Sequence, residues 1–71
     1  MVGLKAIRIK RGLSQQKVAL DLFITREALS HYENGKREPT FELLRRMSAY
    51  YNVSIDYLIN GEEFQKVRSR H

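Results

Sequence analysis

Glu27, Ser30, His31 and Asn34 recur at intervals of i, i+3, i+4 and i+7, the spacing that lines one face of an α-helix. Arg26 stands just before them, at the exposed first turn of that helix. Polar side chains held outward on a rigid helix can hydrogen-bond to base edges. An Arg clasps guanine O6 and N7 with two bonds, and a Glu accepts from cytosine N4. A polar helix face is more often simply solvated, but such faces are usually mixtures of long Glu and Lys chains. This stripe is dominated by short, hydrogen-bonding groups. Glu27 also fits two plainer roles, a helical pair with His31 four residues on or a negative charge at the helix N-terminus.

The remaining residues offer little competing chemistry. There is no cysteine, hence no disulfide framework, thiolate metal site or Cys nucleophile. His31 and His71 are the two histidines, and no glycine-rich phosphate loop occurs. Glu62 and Glu63 read as a solvated helix end and not as a catalytic dyad. The expectation is a protein that is no enzyme and uses no cofactor, metal or small-molecule ligand.

The elements that must position the stripe all read as helices. Leu4, Ile7, Arg8 and Arg11 share one face of a first helix that Gly12 closes. Ser14 caps a second helix over 15–23, with Val18, Ala19 and Leu22 on one side. Thr25 caps the third, which Asn34 and Gly35 end. Thr40 caps a fourth, with Phe41, Leu44, Met47, Ser48 and Tyr51 as its inward stripe. Ser54 caps a fifth, stopped by Asn60 and Gly61. Nothing alternates with period two for long enough to argue a strand. The fold class is therefore all-α, with a domain over 1–61 and a tail over 62–71 that could extend a helix.

Caps at Ser14 and Thr25 stand eleven residues apart in the sequence, leaving room for two short helices and about two connecting residues. So tight a connection forces a steep crossing, the helix-turn-helix arrangement. Ala19 is small enough for close approach there, with Val18, Leu22, Ile24, Leu29 and Tyr32 as the shared core. Leu29, Tyr32 and Glu33 turn inward, which leaves the polar stripe outward. Arg8 also lies on an apolar stripe. Two inward charges of opposite sign are tolerable only if they meet, so Arg8 and Glu33 are expected to form an internal ion pair.

The run SQQKVALDLFITREALSHYENGKREPT, followed by SIDYLING, resembles the lambdoid phage repressor and Cro class of DNA-binding domains, also called Xre-type. The resemblance implies a five-helix bundle of the lambda-repressor-like type, a dimer on a palindromic operator, and a partner that is double-stranded DNA. It places Gln15, Arg26, Glu27, Ser30 and His31 at base-contact positions, and Ser14, Asn34, Lys36 and Arg37 against phosphates. Family members often carry a charge pair at the positions of Arg8 and Glu33. They also commonly have glycine where this chain has Phe23. A left-handed backbone there would cost Phe about 1 kcal/mol, so either the turn differs locally or other packing tolerates the strain. Arg45 stands where an apolar residue is frequent and is expected to face solvent.

Composition is consistent with this. The 71 residues carry a net charge of +5 and a pI near 9.9, as a phosphate-binding surface requires. The excess sits in residues 1–13, which hold four positive charges and no negative one. The apolar runs are far shorter than the roughly 20 residues of a membrane span, and residues 1–4 are too short for a signal-peptide core. A cytoplasmic location follows as the expectation. Tyr57, Ile59, Phe64 and Val67 remain apolar after the core is filled and are the expected dimer interface. The competing reading is a protein-interaction or antitoxin module on the same fold, which would show apolar residues on the outward face of the third helix.

Overall fold

A computed structural model describes residues 1–61. The described residues form five helices and no strand: α1 (Val2–Lys10), α2 (Gln15–Leu22), α3 (Arg26–Glu33), α4 (Phe41–Tyr51) and α5 (Ile55–Asn60). Four begin at the hydroxyl caps read from the sequence. Ser14 accepts from the Lys17 amide at 3.0 Å, Thr25 from Ala28 at 2.9 Å, Thr40 from Leu43 at 3.1 Å and Ser54 from Tyr57 at 3.0 Å. Each such bond satisfies an otherwise orphaned amide and contributes about 1 kcal/mol.

The C-termini of α1 to α4 close in one way. An amide just past the helix bonds back three residues while the next bonds back five, as in Gly12 to Ile9 and Leu13 to Arg8, the Schellman arrangement. It needs a left-handed residue, supplied by Gly12, Phe23, Gly35 and Asn52. Phe23 is the costly one. Helix α2 ends at Leu22, not at Phe23 as the periodicity suggested, and Phe23 caps it at φ 60°. Its side chain is 88% exposed, so packing of the ring within the chain does not offset the strain. The turn has the glycine geometry with a phenylalanine in it.

Leu4, Ile7, Val18, Ala19, Leu22, Leu29, Leu43, Met47, Tyr51 and Leu58 form the core. For α4 the structure corrects the stripe. Leu43, Met47 and Tyr51 are buried, whereas Phe41 is exposed. The buried face is turned by roughly 60° from the expected one at 3.6 residues per turn. Apolar residues occupy more than half of this helix's circumference, so periodicity alone cannot choose a face. Contacts with α2 choose it: Arg46 donates to the Leu22 carbonyl, and the Tyr50 hydroxyl donates to Asp21 at 2.5 Å. Burial and the bond to Asp21 push the Tyr50 phenol up to about 12, while that bond and one from Lys17 hold the Asp21 carboxyl below its ordinary range. Arg45 faces solvent.

Helices α1 and α5 meet at Gly3. A Cβ on Gly3 would lie 1.6 Å from the Tyr57 carbonyl oxygen, so the two backbones could not approach as they do. Gly3→Ala should lower stability by about 1–3 kcal/mol, the range for overpacking, read as a lower Tm. Phe23→Gly should raise stability by up to about 1 kcal/mol, because it relieves the left-handed strain and gives up almost no buried surface. A lower Tm for Phe23→Gly would contradict this account of the turn.

Candidate nucleic-acid interface

The α3 helix is short, capped by Thr25 at one end and closed by Gly35 at the other. Leu29 and Glu33 are buried and Tyr32 is half-buried, so the helix is fixed by one flank. The opposite sector presents Arg26, Glu27 and Asn34 as exposed residues, with Ser30 and His31 half-buried between them. The Asn34 amide nitrogen donates to the Ser30 hydroxyl at 3.3 Å. Glu27 and His31 are not ion-paired among the described residues. Glu27 instead lies in the first turn of α3, where the helix dipole favours a negative charge.

Behind this face lies the charge pair. Arg8 donates Nε to one carboxylate oxygen of Glu33 at 2.6 Å and Nη2 to the other at 3.1 Å, a two-pronged contact. A further Arg8 nitrogen donates to the Leu13 carbonyl at 2.9 Å. The Glu33 side chain is 1% exposed and that of Arg8 12%. The bond to Glu33 raises the Arg8 pKa above its ordinary value. The contact ties α1 to α3.

Gln15, at the start of α2, joins the same group. Its Nε2 donates to Glu33 at 3.0 Å, and its Oε1 accepts from Arg26 at 3.4 Å. The sequence reading placed Gln15 beside DNA but missed this chain of bonds. The available signal was arithmetic: a buried carboxylate has about four lone-pair sites and Arg8 fills only some of them. Tyr51 of α4 faces inward, as its place on the expected stripe requires. It is fully buried with Tyr50 edge-on at 4.9 Å and the Arg11 guanidinium 5.8 Å from its ring. Its hydroxyl has no partner among the described residues, and burial pushes its pKa well above the usual phenol range.

The segment after α3 folds back on it. The amides of Lys36 and Arg37 both bond to the His31 carbonyl, at 2.9 and 3.4 Å. Lys36 and Arg37 thereby join Thr25, Glu27, Ala28 and His31 around an open cleft of about 450 Å³. Both cations are exposed, as are Ser14 at the head of α2 and Asn34 at the end of α3. The structure thus groups Arg26, Glu27, Ser30, His31, Asn34, Lys36 and Arg37 along α3, with Gln15 touching one edge. Tyr57 and Ile59 lie elsewhere, on α5. Tyr57 is half-buried against the core, and Ile59 is 45% exposed and lines a groove with Met1, Pro39, Leu44 and Arg37. The α5 surface therefore adjoins the segment that carries Arg37. Phe64 and Val67 fall outside the described residues. None of the described helices is long and apolar enough to cross a membrane.

The family profile described as Helix-turn-helix matches residues 4–58. The chain is 45% identical over 65 residues to the uncharacterized HTH-type transcriptional regulator YqaE of Bacillus subtilis, a match covering 92% of this chain and 56% of that protein. It is 41% identical over 63 residues to the HTH-type transcriptional regulator ImmR of the same organism, covering 89% and 50%. It is 38% identical over 60 residues to the HTH-type transcriptional activator BcrR of Enterococcus faecalis, covering 84% and 29%. The chain spans about half the length, or less, of these relatives. No solved structure matches it. The chain belongs to the Xre-type helix-turn-helix family.

The buried pair makes a sharp energetic prediction. Glu33→Ala strands the Arg8 guanidinium at a poorly hydrated site and should cost about 3–5 kcal/mol. Replacing Arg8 and Glu33 together by Met and Leu should cost less than that single change. Denaturant melts check it; a double variant that loses more than Glu33→Ala, as the sum of two independent losses would, means that the pair is not coupled.

Proposed function

We propose that this domain binds double-stranded DNA sequence-specifically as a transcription regulator, with α3 in the major groove. The observation that carries the reading is the outward face of α3, polar from Arg26 to Asn34 and flanked by the exposed cations Lys36 and Arg37. A major groove about 12 Å wide admits a helix, and its base edges are donors and acceptors that such a face can match. In this reading Gln15, Arg26, Glu27, Ser30 and His31 face bases, while Ser14, Asn34, Lys36 and Arg37 face phosphates. The exposed apolar residues Leu20, Phe23 and Phe41 lie off that face, which weighs against a protein-interaction or antitoxin role for it.

The domain acts as a homodimer through Tyr57 and Ile59 of α5, together with Phe64 and Val67. A two-fold axis there presents two α3 helices about 34 Å apart, one turn of duplex, to a palindromic operator. Repression is the proposed outcome, since occlusion of a promoter requires only occupancy, although one relative carries the name of an activator. The site of action is the cytoplasm, with no cofactor or small-molecule ligand. Sedimentation at micromolar concentrations should show a dimer; a monomer with undiminished affinity for palindromic DNA contradicts the arrangement.

The decisive experiment separates reading from holding. Selection on random duplexes should return a palindromic site. On that site Arg26→Ala should lose about 1–3 kcal/mol and relax preference at one position per half-site, with guanine the base expected there. Lys36→Ala or Arg37→Ala should weaken selected and random DNA alike and lower the salt slope by about one per half-site. The opposite pattern, with Arg26→Ala weakening both DNAs equally and Lys36→Ala changing base preference, would mean that α3 is oriented differently.

A further inference from the structure

Two phenylalanines stand in solvent, outside the core and outside the layer packed against it. Phe23 holds the turn after α2 at φ 60°, a strained state for a residue with a Cβ. Phe41 opens α4 and is 68% exposed. Two arginines of α4 stand beside them. Arg46 donates to the carbonyl of Leu22, the residue before Phe23, which sets α4 next to the turn. Arg45 is exposed and lies one helical turn after Phe41. Glu42 precedes the arginines by three and four residues, the spacing of helical ion pairs. It pairs with neither of them, and neither has another carboxylate partner among the described residues. Glu42, Arg45, Arg46 and Ala49 line an open cleft of about 320 Å³.

We propose that this face docks a partner protein through a segment whose apolar side chains are flanked by carboxylates. Aromatic residues and Arg are the side chains that concentrate binding energy at protein interfaces, and both kinds are presented here without partners of their own. The apolar part of the segment covers the phenylalanine rings. Its carboxylates meet Arg45 and Arg46, whose two positive charges outnumber the one negative charge of Glu42. A guanidinium takes a carboxylate through two parallel bonds. Arg46 is already anchored on the Leu22 carbonyl, so it gives up less freedom on docking than a loose side chain would. The strain at Phe23 agrees with this, because strained residues cluster where a surface is used for binding. None of these residues lines the cleft along α3, so the partner can sit here while α3 is on DNA. The proposal does not rest on the DNA reading, in which none of them takes part.

The test is a selection from a phage-displayed library of random peptides on the full chain. Recovered peptides should carry Asp or Glu beside Leu, Ile, Phe or Trp. A synthetic copy of the tightest one is the probe, and its Kd is read by fluorescence anisotropy. Phe23→Gly keeps the turn and should weaken that peptide about tenfold or more, the loss that marks a hot spot. Arg45→Glu should also weaken it, by a factor that shrinks as salt rises. The same peptide with Lys in place of its carboxylates should regain affinity for Arg45→Glu, which a merely damaged surface would not allow. Melting curves of the variants show whether they are folded at the assay temperature. Should Phe23→Gly unfold, Phe23→Asn takes its place, since Asn also accepts a left-handed turn. The proposal is overturned by a library that returns no binder, or by binders without carboxylates. A peptide that binds the parent and the variants alike overturns it too. Should Arg45→Glu instead weaken random duplex DNA and lower its salt slope, as a phosphate contact does, the face belongs to a DNA footprint and docks no protein.

Discussion

A carboxylate with almost no exposure to water governs this small domain. Burying a charge is tolerable only when its acceptor sites are filled, and the Glu33 oxygens are filled by donors from two other helices, Arg8 of α1 and Gln15 of α2. A displacement of either helix relative to α3 breaks a bond that water cannot readily replace. The pair therefore acts as a geometric requirement more than as a source of net stability, since an apolar substitute of similar volume can be as stable. It restricts how α3 can lie against its neighbours, and the outward face of α3 follows from that.

Local chemistry prepares the pieces that this contact joins. Four hydroxyl caps begin α2 to α5, and left-handed residues end every described helix from α1 to α4. Helices of six to eleven residues would be marginal alone in water, so the caps define ends while packing supplies stability. Two features run against stability, the left-handed Phe23 and the Tyr51 hydroxyl, which has no partner among the described residues. The close approach at Gly3 gives α5 a fixed seat on α1, and this sets where Ile59 stands relative to the loop that carries Arg37.

Charge is distributed in keeping with this plan. Residues 14–39, which include α2 and α3, carry equal numbers of positive and negative charges, while the excess lies in residues 1–13. Sequence readout needs hydrogen-bonding groups at definite positions more than it needs net charge, whereas attraction to phosphate needs net charge and little geometry. Lys36 and Arg37 join the two requirements, because their amides bond to the His31 carbonyl and place two cations beside the reading face.

Much of this was legible in the residues themselves. The four caps, the tight spacing of α2 and α3, and the outward polar stripe follow from local rules, in which a hydroxyl three residues ahead of an amide or a 3.6-residue period acts within a few residues of itself. The meeting of Arg8 with Glu33 was also legible, because an inward charge demands a partner. The face that α4 buries was not, since apolar side chains surround most of that helix and the bonds from Arg46 and Tyr50 to α2 make the choice. Nor was the left-handed state of Phe23, where the turn's geometry overrides the residue's preference. The bridge from Glu33 through Gln15 to Arg26 joins residues 11 and 18 positions apart, and no local rule spans that separation. Only the crossing of α2 over α3 brings the three groups within hydrogen-bonding reach.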